Sequence, residues 1–471
     1  MAGIGFELQK LTRRPGLFSG LSAYGHAAMI VAGPWIFTIL AIALISLVTQ
    51  FKLSLVELAD FRVALIYAFA LSLFSTAPIV IIATRMVSDL IHLKTFEGVT
   101  SVLFSALGVG MPLNAAIAYL VLAHGFDLSP GFLAATIFSS CVIAMIWIVL
   151  AFCGAIRDYL AITMGFLFGL GGSITFAIVA VRNDFAAAGL VWAFTLGLCI
   201  TLFLLLVRVL QAFPHPILRP IRAFGTFGKA ARQHWVLGLG AMTSILAIWA
   251  DKLVMWFSPY GETLPVGLVH APLYDSAMFV AYLTIIPSLA AFILHLETNF
   301  FLHFQTFTDK LRKHATLREL NELAARLSLN THKALWSILM IQALLCLIAV
   351  LMAPLIIEVL GMKFRQIGIL RLGIVGALFQ FLFLAASSML LFLNQSRLYF
   401  WLQLGFLVLT ASFTIITQIL GQQFLGYGYC LASALSGLTA VLVLERKLQN
   451  LPYVIFSLAA TRSHENDWMK T

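Results

Sequence analysis

The sequence predicts an all-α polytopic membrane protein with about twelve transmembrane helices in two six-helix lobes. Of its 471 residues, 61% are hydrophobic and only 10% are charged, and the mean hydropathy is +1.00. Soluble domains are about a quarter charged. The apolar residues fall into runs of about 20, the length that a helix needs to cross a bilayer. No run alternates as a barrel strand would, so the predicted fold is a helical bundle.

Twelve apolar runs account for the predicted transmembrane helices. They lie at 23–48, 63–84, 102–123, 132–153, 160–181, 187–207, 236–257, 276–296, 335–359, 367–393, 399–420 and 425–444. We expect residues 1–207 to form the first lobe, with a short amphipathic segment at the N-terminus. The stretch 208–235 contains three prolines and five cations and predicts a basic cytoplasmic linker. Residues 236–471 predict the second lobe and a C-terminal tail.

The distribution of lysine and arginine predicts the orientation in the membrane. With both termini in the cytoplasm, 22 of the 29 Lys and Arg residues lie in cytoplasmic segments and six lie in external loops. Cytoplasmic loops of membrane proteins carry such an excess. We therefore expect a multi-pass protein with both termini cytoplasmic. This bias, together with the attraction of cytoplasmic cations to anionic lipid headgroups, accounts for the net charge of +10. A nucleic-acid partner is not needed to explain that charge.

Segment 298–333 is the longest stretch between predicted spans. Thr316 and Glu319 have the spacing of a capping box. The leucines that follow, from Leu317 to Leu327, share one face of a helix. The pattern indicates a cytoplasmic amphipathic helix that lies on the membrane surface or docks a cytosolic partner.

Helix breakers occur in corresponding spans of the two halves. They are Pro78 and Pro287 in the second and eighth spans, and Pro112 and Pro354 in the third and ninth. Interrupted helices in matching positions are typical of transport paths, although proline is common in membrane helices generally. In the fifth span, Gly165 and Gly169 have the spacing of a close helix–helix contact.

The sequence lacks the motifs of an enzyme. No phosphate-binding loop and no zinc-type cluster occur, so we expect no cofactor, no metal site and no catalytic residues. The five cysteines all lie in apolar runs and are interpreted as small buried hydrophobes.

Asp251 and Lys252 are adjacent charges inside the seventh span, and they are the main candidates for a functional site. Neighbouring residues on a helix point about 100° apart, so we expect each charge to have its own partner elsewhere. Trp249 and Trp256 lie on the same helical face as Lys252 and could flank the cation or stack on sugar rings. The alternative is a structural ion pair, with Lys252 reaching outward and the tryptophans forming an interfacial belt.

Four further residues are candidates for a substrate path. Tyr274 and Asp275 open the eighth span, and Glu297 closes it at the cytoplasmic side, where an interfacial carboxylate is the alternative. His26, near the inner end of the first span, could titrate or be a packed histidine.

Several stretches resemble the PelG family, the membrane transporters of Pel exopolysaccharide systems. They are "GIGFELQKL" at 3–11, "YGHAAMIVAGPW" at 24–35, "IWADKLVMWFSP" at 248–259, and "PLYDSAMFVAYLTIIP" with "ETNFF" between 272 and 301. His26 departs from the aromatic residue of the family pattern. This family belongs to the multidrug/oligosaccharidyl-lipid/polysaccharide (MOP) flippase superfamily.

The resemblance implies an inner-membrane exporter of an N-acetylhexosamine-rich exopolysaccharide, with two six-helix lobes around a central path. It also implies partners: a PelF-like cytosolic glycosyltransferase and inner-membrane PelD-like and PelE-like proteins. Two alternatives stay open. One is a flippase of lipid-linked oligosaccharide or an ion-coupled exporter of small molecules, and the other is a non-transporting scaffold for a glycosyltransferase.

Overall fold

The structure is a computed structural model, and it describes residues 36–156, 158–216, 220–296, 300–313 and 315–453. Nearly all of the described residues are helical. The helices are α1 (Ile36–Thr49), α2 (Leu55–His92), α3 (Glu97–Gly125), α4 (Pro130–Ile156), α5 (Tyr159–Arg182), α6 (Ala187–Ala212), α7 (Pro220–Gln233), α8 (Trp235–Trp256), α9 (Pro272–Leu283), α10 (Ile286–His295), α11 (Phe301–Arg312), α12 (Leu317–Val359), α13 (Gln366–Phe392), α14 (Ser396–Leu420) and α15 (Tyr427–Gln449). A short antiparallel hairpin, β1 (Glu262–Thr263) and β2 (Val269–His270), follows α8.

The helices agree with the predicted spans. In the described part of the chain, eleven helical segments are long and apolar enough to cross a membrane, counting α9 and α10 as one. They match the second to twelfth predicted spans in order. The apolar helix α1 is the described part of the first span. The prediction of an all-α polytopic membrane protein is therefore confirmed.

The chain divides into two compact units. The N-terminal unit contains Ala32–Trp249 and the hairpin segment Pro259–His270, and the C-terminal unit contains Ala250–Ser258 and the chain from Ala271 onward, each as far as the structure describes it. The predicted division into six-helix lobes at residues 207 and 236 stays a prediction.

Helix α4 forms the centre of the N-terminal unit. It packs against α2, α3 and α6. Many of its side chains, most of them apolar, are buried. Beside it, α5 and α6 approach each other closely. A Cβ atom on Gly169 would lie 2.6 Å from the Gly197 carbonyl oxygen, so small residues are required there. The close contact predicted from Gly165 and Gly169 is confirmed.

The predicted linker contains an amphipathic helix in the structure. Phe227 and Ala230 of α7 are buried, and the ring of Phe224 packs on Gly108 of α3. Arg222, Lys229 and Arg232 lie on the exposed side. The apolar side of α7 thus packs on the transmembrane helices of its own unit, and its basic side is solvated.

The amphipathic part of segment 298–333 begins a long helix in the structure. The predicted capping box is present, because Thr316 and Glu319 bond to each other's backbone N–H groups. The helix that begins there, however, continues without a break for 43 residues to Val359. At about 1.5 Å per residue it is about 65 Å long, more than a bilayer of about 40–45 Å requires. Its amphipathic part therefore belongs to the same helix as the ninth predicted span, and its place on the membrane surface or against a cytosolic partner stays a prediction.

The four prolines have different effects. Pro78, Pro112 and Pro354 lie inside continuous helices. Pro287 instead lies in the first turn of α10, and the eighth span is broken at Thr284 and Ile285. Gly33 and Pro34, whose adjacency predicts a bend in the first span, lie outside the described residues.

Helix α13 forms the centre of the C-terminal unit. It packs against α9, α12 and α15. Gly373 of α13 leaves room for α9, since a Cβ there would lie 2.8 Å from the Cβ of Ala281. Gly376 leaves room for α15, since a Cβ there would lie 2.4 Å from Cε1 of Tyr429. The two glycines thus bring α9 and α15 close to α13.

Candidate functional site

Asp251 and Lys252 form a direct ion pair near the end of α8. The Lys252 Nζ atom lies 2.7 Å from Oδ1 and 3.0 Å from Oδ2 of Asp251. The side chain of Asp251 is fully buried, and that of Lys252 is 12% exposed. Removal of either partner would leave a buried charge without its counterion, which costs about 3–5 kcal/mol.

This geometry corrects the expectation that the two charges do not face each other. The side chains of neighbouring residues leave a helix in different directions, but the four-carbon stem of lysine is long and flexible. It lets the ammonium group reach the preceding carboxylate. The expectation of further partners on another helix is confirmed, because Tyr274 and Tyr282 of α9 also contact the pair.

Three tyrosines surround the ion pair. The Tyr274 hydroxyl donates to Oδ2 of Asp251 at 2.9 Å, and the ammonium of Lys252 donates to the Tyr282 hydroxyl at 2.9 Å. The same ammonium lies 4.3 Å from the ring centroid of Tyr282 and 5.9 Å from that of Tyr429. An aromatic face within about 6 Å attracts a cation. Aromatic rings and hydrogen bonds thus take the place of water around Lys252.

Tyr429 is held by contacts on two sides. Its hydroxyl donates to the side-chain oxygen of Gln380 on α13. Its ring packs edge-on against Tyr282, with centroids 5.5 Å apart. Because Gly376 leaves space for the ring, the tyrosine of α15 can lie beside the charges of α8.

Trp256 and Asp275 form the second part of the site. The indole N–H of Trp256 donates to Oδ2 of Asp275 at 2.8 Å, and the backbone N–H of Ala271 donates to the same oxygen at 3.0 Å. The other carboxylate oxygen, Oδ1, is buried and accepts no hydrogen bond within the described residues. Trp256 thereby links the end of α8 to the first turn of α9.

The structure therefore brings together five of the eight predicted site residues: Asp251, Lys252, Trp256, Tyr274 and Asp275. Trp249 is half-buried on α8 and belongs to the N-terminal unit. His26 and Glu297 lie outside the described residues. We call the following set of residues the Lys252 cluster: Asp251, Lys252, Tyr274, Tyr282, Tyr429, Gln380, Trp256 and Asp275.

Sequence reasoning missed Tyr282, Tyr429 and Gln380. Tyr282 lies about two helical turns after Tyr274, so the pair of tyrosines on one helix was a usable signal. Tyr429 and Gln380 come from α15 and α13, and nothing in their local sequence points to Lys252. Their place depends on the packing around Gly376.

The N-terminal unit contains a second buried polar cluster, centred on Asn114. The Asn114 side chain accepts from Ser75 at 2.7 Å and donates to Ser140 at 3.0 Å. These groups lie on α3, α2 and α4, and all three are buried. The cluster carries no charge, and its hydrogen bonds join three helices as polar residues do in membrane bundles. We assign it to packing.

The comparisons with known proteins agree with this fold. The family model described as "PelG: Putative exopolysaccharide Exporter (EPS-E)" matches residues 1–456. No curated protein matches the chain significantly.

Solved structures give the same fold. The MATE transporter VcmN of Vibrio cholerae is 15% identical, with a TM-score of 0.61 over 91% of this chain and 98% of that one. A MOP superfamily transporter from Pyrococcus furiosus is also 15% identical, with a TM-score of 0.59 over 90% of this chain and 96% of that one. At such identity the likeness concerns the fold alone.

Proposed function

The chain belongs to the PelG family of exopolysaccharide exporters, and from that premise we propose that it carries an N-acetylhexosamine-rich polysaccharide outward through a path that includes the Lys252 cluster. The family and the fold together identify a multi-pass membrane transporter for polysaccharide export. The nature of the sugar, the inner membrane of a bacterium as the location, and the path residues belong to the proposal.

The observation that supports the proposed path is a buried charged pair inside a candidate membrane span, surrounded by aromatic rings. A charge in a membrane helix costs several kcal/mol and is found where it faces a bundle interior or a cavity. Two purely apolar helices would pack against each other without any charged pair. Sugars present hydroxyl groups to charged partners and apolar faces to aromatic rings, and Lys252 with Tyr282 offers both.

Secretion by variants that keep the fold tests this role. The double change Asp251→Asn/Lys252→Met removes both charges and leaves no unpaired ion. We expect normal abundance in the membrane, because replacing a whole buried pair is often neutral. Secreted polymer per unit of membrane protein should fall by at least tenfold, which corresponds to about 1.4 kcal/mol.

The control is the ion pair of Arg85 and Asp89, which lie one turn apart on α2, 3.6 Å from each other. Its neutral double variant, Arg85→Gln/Asp89→Asn, should secrete normally. If Asp251→Asn/Lys252→Met also secretes like the wild type, the ion pair only joins helices and the path lies elsewhere.

The single variants separate the two roles further. Lys252→Met alone leaves the buried Asp251 carboxylate without its cation, and Asp251→Asn alone leaves the ammonium without its anion. Each single variant should therefore be depleted from the membrane, and the double variant should recover in abundance. Singles that accumulate normally would contradict the buried ion pair.

The proposed partners are a PelF-like cytosolic glycosyltransferase and PelD-like and PelE-like membrane proteins. The first turns of α12, from Leu317 to Arg326, support this, because they are helical, capped and exposed on most sides. In this arrangement the chain is a transporter and the partner is the enzyme.

Co-purification from membranes tests the partnership. The charge reversal Arg326→Glu should weaken recovery of the glycosyltransferase, and unchanged recovery would exclude this surface as the docking site.

A further inference from the structure

Gln342 is a fully buried polar side chain in the membrane-spanning part of α12. Its amide nitrogen donates to the backbone carbonyl of Thr284 at 3.1 Å and lies 3.2 Å from Sγ of Cys346. Its amide oxygen accepts a hydrogen bond from the hydroxyl of Ser288. Both ends of the amide are therefore satisfied, and loss of one partner would leave a buried polar group unpaired.

The two groups that Gln342 joins lie on opposite sides of the break between α9 and α10. Thr284 directly follows α9, and Ser288 is in the first turn of α10. Pro287 has no backbone N–H, so the carbonyl of Leu283 lacks its usual donor four residues later. The Gln342 side chain donates to the next carbonyl along the chain, that of Thr284, and so supplies a hydrogen bond to the backbone at the break from another helix.

The break is close to the Lys252 cluster. Tyr282 lies two residues before Thr284 and accepts a hydrogen bond from Lys252 at 2.9 Å. A small rotation of the end of α9 would carry the Tyr282 hydroxyl out of hydrogen-bonding distance, since such bonds weaken steeply with distance and angle. The hydrogen bond between Tyr282 and Lys252 thus requires the end of α9 to keep its present orientation.

We propose that Gln342 is a positioning residue that fixes the break between α9 and α10 and thereby holds Tyr282 on Lys252. None of its hydrogen-bond partners belongs to the Lys252 cluster, and it acts through the backbone that follows α9. Its importance for export rests on the proposed function of the cluster, whereas the positioning of Tyr282 does not.

Chemical labelling of Lys252 tests the positioning directly. The purified full-length protein is treated with a small acetylating reagent, and acetylation of each lysine is followed by mass spectrometry. Gln342→Met keeps the length of the side chain and removes both hydrogen bonds, so Lys252 should be acetylated severalfold faster than in the wild type. Ser288→Ala removes only the contact to α10 and should give a smaller increase. The exposed Lys310 and Lys363 should react at unchanged rates in every variant.

The matched control is Gln403→Met, which exchanges the same side chains at another buried position, on α14. Lys252 should react as in the wild type in this variant. If Gln342→Met leaves the acetylation of Lys252 unchanged, or if Gln403→Met raises it equally, the proposal is wrong.

Secretion is measured on the same variants. Faster acetylation of Lys252 in Gln342→Met with normal secretion would keep the positioning role and contradict the role of the Lys252 cluster in export. Faster acetylation with reduced secretion supports both.

Discussion

At the scale of single residues, Lys252 shows how a cation is made stable within a membrane helix. Hydration is replaced by a carboxylate, a hydroxyl and two aromatic rings, all within hydrogen-bonding or cation–π distance. Asp251 is satisfied by Lys252 and Tyr274. The remaining exposure of Lys252, 12% of its side chain, is the part of the pair that a passing substrate could reach.

Gly376 gives a test of how the ring of Tyr429 is positioned. In Gly376→Ala, the new Cβ would meet Cε1 of Tyr429 at 2.4 Å, so the ring must shift from its present position beside Tyr282 and Lys252. Overpacking of this kind costs about 1–3 kcal/mol. We expect a lower melting temperature of the purified protein and reduced secretion per unit of membrane protein.

Gly368→Ala is the control for this substitution. Gly368 lies on the same helix, and a Cβ there would meet no atom within 4 Å. Replacing a helical glycine by alanine favours the helix by about 0.5–1 kcal/mol, so this variant should be as stable as the wild type or more so. Equal behaviour of the two variants would exclude a special role for the space at Gly376.

At the scale of elements, small residues and interrupted helices determine which side chains meet. Helix α13 approaches α9 at Gly373 and α15 at Gly376, and the Lys252 cluster includes residues of both neighbours. The eighth span is broken at Thr284 and Ile285, which gives α9 an orientation that one continuous helix would not have. Van der Waals packing and hydrogen bonds carry such contacts in a membrane, where helices gain no hydrophobic energy from each other.

The contact between α5 and α6 provides a prediction at this scale. A Cβ on Gly169 would lie 1.9 Å from Oγ1 of Thr201 and 2.6 Å from the carbonyl oxygen of Gly197. The first clash involves a side chain that could rotate, but the second involves backbone. Gly169→Ala should therefore separate the two helices and reduce the amount of folded protein in the membrane, as measured by fluorescence-detected size-exclusion chromatography.

Gly171→Ala on the same helix serves as its control, because a Cβ there would meet nothing within 4 Å. Its elution profile should match that of the wild type. A normal profile for Gly169→Ala as well would show that α5 and α6 pack less closely than the structure indicates.

At the scale of the whole molecule, the sequence predicted the spans well because hydropathy is a local property. The broken eighth span was only partly predictable: Pro287 marks the place, but Pro78 and Pro112 look similar in sequence and lie in continuous helices. The partners of Lys252 were the least predictable part. Tyr429 lies beside Lys252 and is held there by Gln380, and this depends on the packing of α13 and α15, which no local pattern encodes.

The order of spans makes a prediction about sidedness that is independent of charge. One membrane span, α9 with α10, separates the β1–β2 hairpin from residues 313–316. Helix α11 has 12 residues, about 18 Å, which is too short to cross a hydrocarbon core of about 30 Å. If each of these segments crosses the membrane as its length predicts, we expect the hairpin and residues 313–316 on opposite sides of it. Four more spans, α12 to α15, follow residues 313–316, so the chain after α15 returns to the same side as these residues.

The bias of Lys and Arg predicts which side is the cytoplasm, because 22 of the 29 lie on the side of residues 313–316 under this arrangement and cytoplasmic segments carry such an excess. Reporter fusions that are active only in the cytoplasm should therefore be active when placed within 313–316 or after Thr471, and inactive within the hairpin turn at 264–267. The hairpin fusion is the internal control for insertion of the protein. Activity in the hairpin and none at the other two sites would invert the orientation but keep the span count. Equal activity in the hairpin and at 313–316 would contradict the span count itself, because an odd number of crossings cannot return a chain to the side from which it started.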